Sequence, residues 1–388
     1  MIHHPAFWVL AVVSATAAAY QAIALVATIR HFRGRVDVRP EFAPPISILK
    51  PMYGSSPGLY AALRSHAVQD YPEFEIVFGV RSLDDPCLID IERLRCEFPN
   101  LRIRLVHCHR KTPNGKVGVL ADLAREARYA LLLVNDDDIT VPAGYLREVV
   151  APMAEPVTGI VTCLYRATAD HLPGRWEGLG IVTDFAPSTL VAPFVGVSEF
   201  GLGSTIVFRS EDLNAIGGFE AIADYIADDY QLGARIHRLG RRNVISRVVV
   251  ETHLDAASWG DIWQHQVRWA RTIRLSRGAY AGLFITYATF WAVVDTAFGF
   301  WWLAAPLLVL RMIMATTAGW WGMRSRDVLR LWPLIPLRDL WATGVWVTGL
   351  FGKHVRWRDQ ELTLDGQGRI IHSGPIENGP LDATLPHS

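Results

Sequence analysis

Net charge is the first thing this sequence lacks. Across 388 residues, 38 lysines and arginines are matched by 38 aspartates and glutamates. The overall balance therefore gives no support to a nucleic-acid partner, which calls for an excess of positive charge. Cysteine is sparse too. Cys87, Cys96, Cys108 and Cys163 are scattered, with no C-x-x-C pair, which argues against a disulfide framework or a zinc site and fits reduced thiols. His107, Cys108 and His109 are ligand-type residues, but strand neighbours face opposite ways, so the run reads as structural. The third absence is local: residues 7–29 hold no charged side chain. A helix of about 20 apolar residues crosses a bilayer. The run lacks a basic leading segment and a small-residue cleavage site, so it is expected to be a retained anchor.

What is present is apolar and unevenly spread. The hydrophobic fraction is 51%, with 14 tryptophans, and the excess lies at the two ends. Arg30, His31, Arg33, Arg35 and Arg39 follow the first apolar run, which places the next domain in the cytoplasm by the positive-inside rule. Residues 44–277 have the composition of an ordinary soluble α/β domain. Residues 279–298 and 300–323 read as two spans turning near 299–306, with Trp291, Trp301, Trp302, Trp320 and Trp321 as interfacial anchors. Arg324, Arg326 and Arg330 return the chain to the cytoplasmic side. Residues 331–352 hold Pro333, Pro336, Arg338 and Asp339 and are flanked by basic residues on both sides, so a re-entrant or interfacial segment competes with a further span. The expected organisation is an anchor at 1–30 and a cytoplasmic domain at 44–277 with an interfacial helix at 261–277. A membrane region at 279–352 and a cytoplasmic tail at 353–388 complete a multi-pass protein of the inner (plasma) membrane.

The middle of the chain alternates strands with helices. Apolar strands are expected at 46–49, 74–80, 102–107 and 129–135, with helices at 58–69, 87–98 and 117–127, the first opened by Ser56 and Pro57. Such alternation implies a parallel sheet covered on both faces, with ligands beyond the carboxyl ends of the strands. Polar residues recur there: Lys50, then Asp84 and Asp85, then Asp136, Asp137 and Asp138. Three like charges closing an apolar strand oppose one another, and a hard divalent cation shared with phosphates would offset that cost. Asp136 and Asp138 point the same way if the segment is extended. A solvated loop with an acidic helix cap is the alternative.

Three further elements carry chemistry. Lys116 begins a helix after a glycine turn, so backbone N–H groups and an ammonium could face a diphosphate together; an ordinary surface lysine is the competing reading. Asp228 and Asp229 are adjacent carboxylates that could tune one another into a general base, or simply favour a helix N-terminus. His265, Arg268 and Trp269 share one face of a helix by their spacing of three and four, and the same helix reads as basic and amphipathic at a membrane surface.

Together these residues resemble the membrane glycosyltransferases of the family 2/21 type with a GT-A fold. The closer likeness is to the ceramide glucosyltransferase family, including the bacterial hopanoid-biosynthesis glycosyltransferases. It rests on Lys50-Pro51, the segment from His66 to Pro72, Asp84-Asp85-Pro86, Asn135 to Asp138, Tyr225 to Tyr230 and Arg268-Trp269. The resemblance implies a Rossmann-like α/β nucleotide-diphospho-sugar transferase domain. It implies Asp85 near a uridine, Asp136 and Asp138 holding Mg²⁺ or Mn²⁺, and Asp229 as the base. Lys50, Asp84, Lys116, Asp228, His265, Arg268 and Trp269 are expected to bind substrate. One departure stands out: His265 occupies a place where the family usually carries Gln or Arg. The implied activity is hexosyl transfer from a UDP-sugar to a membrane-lipid hydroxyl. N-acetylglucosamine and a hopanoid of the bacteriohopanetetrol type are expected from residues 114–120 and 265–271, against ceramide with UDP-glucose. A non-catalytic protein binding nucleotide-sugar and lipid is the reading from another class, and a processive polysaccharide synthase is disfavoured by so few spans.

Overall fold

The computed structural model describes residues 5–34, 41–255, 258–276, 280–357 and 360–375. Arg35, Arg39 and residues 376–388 of the expected tail lie outside them. Eight strands form one sheet in the order β3-β2-β1-β4-β7-β6-β8-β5. They are β1 Ile46–Pro51, β2 Phe74–Val80, β3 Arg102–His107, β4 Leu131–Val134, β5 Ile139–Thr140, β6 Thr158–Thr168, β7 Ile206–Arg209 and β8 Arg242–His253. The parallel half is the one expected from the alternation: β1 pairs with β2 and β4, and β2 with β3, all parallel. The other half is mixed, because β7 runs antiparallel to β4 and β6, and β5 antiparallel to β8. Helices lead into the parallel strands, whereas β7 turns back to cover the edge of β4 and makes the site two-sided.

Both faces of the sheet are buried, so its inner strands are buried along their length and mostly apolar, not apolar on alternate residues. Ile46, Ile48, Ile76, Phe78, Leu131 and Leu133 pack on one face; Leu49, Val77, Leu132, Val134 and Phe208 pack on the other. The helices Leu59–Ala67, Cys87–Glu97 and Gly115–Glu126 fall where the alternation places them. The first begins without a side-chain cap, so Ser56 and Pro57 do not open it as expected. All four cysteines are free thiols. The rings of His107 and His109 meet edge-on at 4.1 Å, because β3 stops at His107 and the chain turns.

Among the described residues three helices are long and apolar enough to cross a membrane: Phe7–Arg33, Leu172–Val195 and Trp301–Gly322. The middle one, inside the expected soluble domain, packs Leu179, Val182 and Leu190 against Ala24, Ala27 and Met314 of the other two. Residues 279–298 do not form one such helix. Their described part is a 3-10 turn, Tyr280–Thr286, followed by the ten-residue helix Ala288–Ala297. In the ambiguous stretch the helix is Ile335–Gly349, and its charge is accommodated by pairing. Asp339 takes two hydrogen bonds from Arg311 at 2.9 and 2.6 Å, while Arg311 also donates to the Thr183 carbonyl at 2.7 Å. That bidentate pair staples three apolar helices, as buried charges require. A small antiparallel sheet, β9 His354–Trp357, β10 Gln360–Leu364 and β11 Ile370–Pro375, ends the described part of the chain.

Candidate active site

β1 and β4 are adjacent and parallel, so Lys50 and Asp136 leave the sheet side by side. Lys50 Nζ donates to the Asp136 carbonyl at 2.8 Å. Its burial pushes the ammonium down to about 8, against the pull of Asp137, Asp138 and Asp136. The aspartates lie on a turn, not an extended strand, with the Ile139 N–H bonded to the Asp136 carbonyl. The turn still keeps 136 and 138 together. Asp138 is pushed up to about 6 by burial first and then by Asp136, and its carboxylate accepts from the Thr252 hydroxyl. Behind the turn Asn135 bonds His66 Nε2 at 2.8 Å, and Tyr145 joins Asn135 to Thr205. A buried polar chain of this kind fixes the turn's orientation.

The lysine expected at a helix start reaches the same place. Asn114 caps its helix by accepting from Val117 N, and its amide donates to the Tyr225 carbonyl at 2.8 Å. Lys116 Nζ then meets Asp136 Oδ1 at 2.6 Å and Asp228 Oδ2 at 3.5 Å. Burial opposes its charge, yet Asp136, Asp228 and Asp229 together hold it well above the ordinary lysine range. Asp228 and Asp229 open the helix Asp228–Arg238, as the helix-terminus reading expects. Gly233 lets that helix approach: a Cβ there would sit 2.3 Å from the Gly201 nitrogen. Asp229 accepts from Gly203 N at 3.0 Å and Tyr230 N at 2.7 Å. Burial, then the Asp228 charge, pushes its carboxyl up to about 6.

The decisive geometry is at Gly203, which no sequence pattern singled out. A Cβ there would lie 3.1 Å from Asp136 Oδ2, 3.6 Å from Asp229 Oδ2 and 3.8 Å from Lys116 Nζ. Residues from three distant segments thus face one small space, kept open by the missing side chain. Hard carboxylate oxygens of Asp136 and Asp138 suit a divalent cation. Among the described residues no group of three or more His, Cys, Asp or Glu could hold a metal ion, so Asp136 and Asp138 would leave coordination positions for other oxygens, such as those of water or a phosphate.

Other expected residues are distributed around this centre. Asp85 lies on the loop after β2, where its carboxylate accepts from Gly54 N at 2.9 Å and Cys87 N at 3.0 Å. It thus fastens two loops beside the turn, while Asp84 is exposed. The helix Trp259–Ser276 brings the last motif. Burial lowers the Arg268 guanidinium, which feels the charges of Glu177 and Asp136. Trp269 lies 6.4 Å from the Tyr165 ring and 6.1 Å from Phe185. His265 Nδ1 is 2.6 Å from Glu177 Oε1. Sequence reasoning missed Glu177; its one signal was an acid inside a long apolar helical run. The tail is more than an extension. Ile226 N donates to the Gly368 carbonyl at 3.2 Å, Ile370 N to the Asp224 carbonyl at 2.7 Å, and Arg369 to the Tyr225 hydroxyl at 3.0 Å. It therefore clasps the loop that leads into Asp228 and Asp229.

With that geometry in place, the profile of glycosyl transferase family 21 matches residues 6–370. The chain belongs to that family. Among family relatives, Ceramide glucosyltransferase 1 of Caenorhabditis elegans is 26% identical over 227 residues, covering 58% of this chain and 48% of the relative. Ceramide glucosyltransferase 3 of the same organism is 23% identical over 351 residues, covering 84% and 74%. The chain thus spans about half the length of the first of these relatives. In structure, the mannosyltransferase PcManGT from Pyrobaculum calidifontis, solved with GDP-Man and Mn²⁺, aligns with a TM-score of 0.55 at 20% identity. The alignment covers 88% of this chain and 97% of that one. The family 21 chain has the GT-A fold, with apolar helices around it.

Proposed function

We propose that this family 21 chain transfers a sugar from a UDP-sugar to a hydroxyl of a membrane lipid, inverting the anomeric centre. The observation carrying this reading is the convergence of Asp136, Lys116 and Asp229 on the space at Gly203. Lys50 and Lys116 supply fixed positive charge for a diphosphate, with Arg268 approaching from the other side. Asp136 and Asp138 would hold Mg²⁺ or Mn²⁺, which when bound adds charge stabilisation to the departing diphosphate. Asp229 is raised toward neutrality, as suits a base. It accepts the proton of the acceptor hydroxyl as that oxygen bonds to the anomeric carbon, and UDP leaves with the electron pair of the broken bond. Tyr165, which feels the Asp136, Asp229 and Asp138 carboxylates and meets Phe185 and Trp269, and helices of membrane-crossing length support a lipid acceptor reached from a bilayer. The basic residues Arg30, His31 and Arg33 at the end of the first helix support a catalytic domain on the cytoplasmic side of the inner membrane.

The finer reading is N-acetylglucosamine transfer to a hopanoid of the bacteriohopanetetrol type, from the residues around Lys116 and His265. Ceramide with UDP-glucose is the second reading, favoured by the names of the Caenorhabditis relatives. UDP release measured over a matrix of donors and both lipids tests all of this. Release that depends on bacteriohopanetetrol with UDP-N-acetylglucosamine supports the first reading. Dependence on ceramide with UDP-glucose selects the second, and no release with any pair defeats the transferase proposal.

A further inference from the structure

His265 stands where the motif usually carries Gln or Arg, and an imidazole presents a defined hydrogen-bonding nitrogen only when its tautomer is fixed. Glu177 Oε1 lies 2.6 Å from His265 Nδ1. A carboxylate only accepts, so Nδ1 carries the hydrogen and Nε2 is presented on the opposite side of the ring. The Glu177 side chain is only 3% exposed, and its second oxygen has no hydrogen-bond partner among the described residues. A buried carboxylate with half its capacity unused costs stability, so its presence calls for another reason.

The surroundings say which substrate this end suits. His265 packs against Trp269 at 4.8 Å, and Trp269 meets Tyr165 of β6 and Phe185 of the helix that carries Glu177. The charged groups facing the pair are Arg268 on its own helix and Arg338 from Ile335–Gly349. Both feel Glu177, and Arg268 also feels Asp136 across the cleft. The ammonium groups gather at the other end, at Lys50 and Lys116. Arg268 and Arg338 offset the Glu177 charge, and the three rings beside it suit an uncharged hydroxyl on an apolar body.

We propose that Glu177, His265, Tyr165, Phe185 and Trp269 form the subsite for the lipid acceptor, with Glu177 as the positioning residue that aims His265 Nε2 at the acceptor hydroxyl. This rests on the lipid-transferase reading above. His265 Nε2 takes a hydrogen bond from the hydroxyl and orients it; the proton itself goes to Asp229.

The test is steady-state kinetics on the full chain in detergent, with whichever of the two donor and lipid pairs the native enzyme turns over. Glu177→Gln is expected to raise the acceptor KM about 10- to 100-fold, leaving UDP affinity by calorimetry within about twofold of native. His265→Gln carries its own amide oxygen, so adding Glu177→Gln to it is expected to cost less than about threefold. An equal loss in both backgrounds, or a matching loss of UDP affinity, would show that Glu177 merely supports the fold and would overturn the proposal. Phe185→Leu removes the ring and keeps an apolar side chain of somewhat smaller volume, and serves if Glu177→Gln does not fold. It is expected to raise the acceptor KM alone, and a native KM overturns the proposal. A native enzyme that releases no UDP with either pair defeats the parent reading first, an outcome separate from any variant effect.

Discussion

One methyl group at Gly203 tests whether the meeting of Asp136, Lys116 and Asp229 is a reaction centre. An alanine Cβ would stand 3.1 Å from Asp136 Oδ2, inside ordinary contact, with Asp229 Oδ2 at 3.6 Å and Lys116 Nζ at 3.8 Å. The Gly203 φ is outside the left-handed region, so alanine takes the same backbone without strain. Restricting the unfolded chain stabilises by about 0.4–1 kcal/mol. Crowding costs about 1–3 kcal/mol in a tight core, but here the nearest neighbour is a carboxylate with 43% of its side chain exposed, which can swing aside. The two effects nearly cancel, so stability should stay within about 1 kcal/mol of native. Activity has no such compensation. Displacing a reacting group by about 1 Å costs roughly 100-fold, and moving Asp136 by a few tenths of that while filling the space should cost about 10- to 100-fold in kcat/KM. UDP release and thermal unfolding, measured beside Gly366→Ala where no atom lies within 4 Å of the added Cβ, separate the two terms. A folded Gly203→Ala enzyme with native kcat/KM would refute the reasoning.

The remaining predictions address single groups. Asp229 is pushed up to about 6. Between the ordinary aspartate value of about 4 and about 6 the folded chain holds a proton that the unfolded chain has lost, so this group's contribution to stability declines as pH rises through that window. The base acts ionised, so kcat/KM should fall about tenfold per pH unit below about 6. Asp229→Asn should abolish transfer with UDP binding nearly intact, and full turnover by that variant would remove Asp229 as base. Asp136→Ala should abolish metal-dependent UDP binding; calorimetry with and without Mn²⁺ reads this, and an unchanged Mn²⁺ effect counts against Asp136 as ligand. Arg369→Ala removes the bond to the Tyr225 hydroxyl and should slow turnover about 2- to 10-fold at an unchanged donor KM; native turnover would make the tail's clasp dispensable.

The parallel half of the sheet was legible because its strands are short apolar runs separated by helices, and β2 and β3 fall on the expected residues. The antiparallel strand β7 was not legible. It has four residues, and its pairing with β4 joins segments that no local pattern relates. The middle apolar helix was missed because Gly174, Gly178 and Gly180 dilute its periodicity, and its burial comes from partners elsewhere in the chain.

Local chemistry fixed by residue identity and spacing was readable from the sequence alone: acids closing an apolar strand, a lysine after a glycine turn, paired acids at a helix start, and an Arg-Trp helix. Which of these meet was decided by the tertiary structure. The distance from Asp136 to Gly203 or from His265 to Glu177 is set by packing between elements far apart in the chain. Gly203 contributes only the absence of a side chain, which no motif records. Glu177 acts through a partner 88 residues away, so its meaning existed only after the chain had folded.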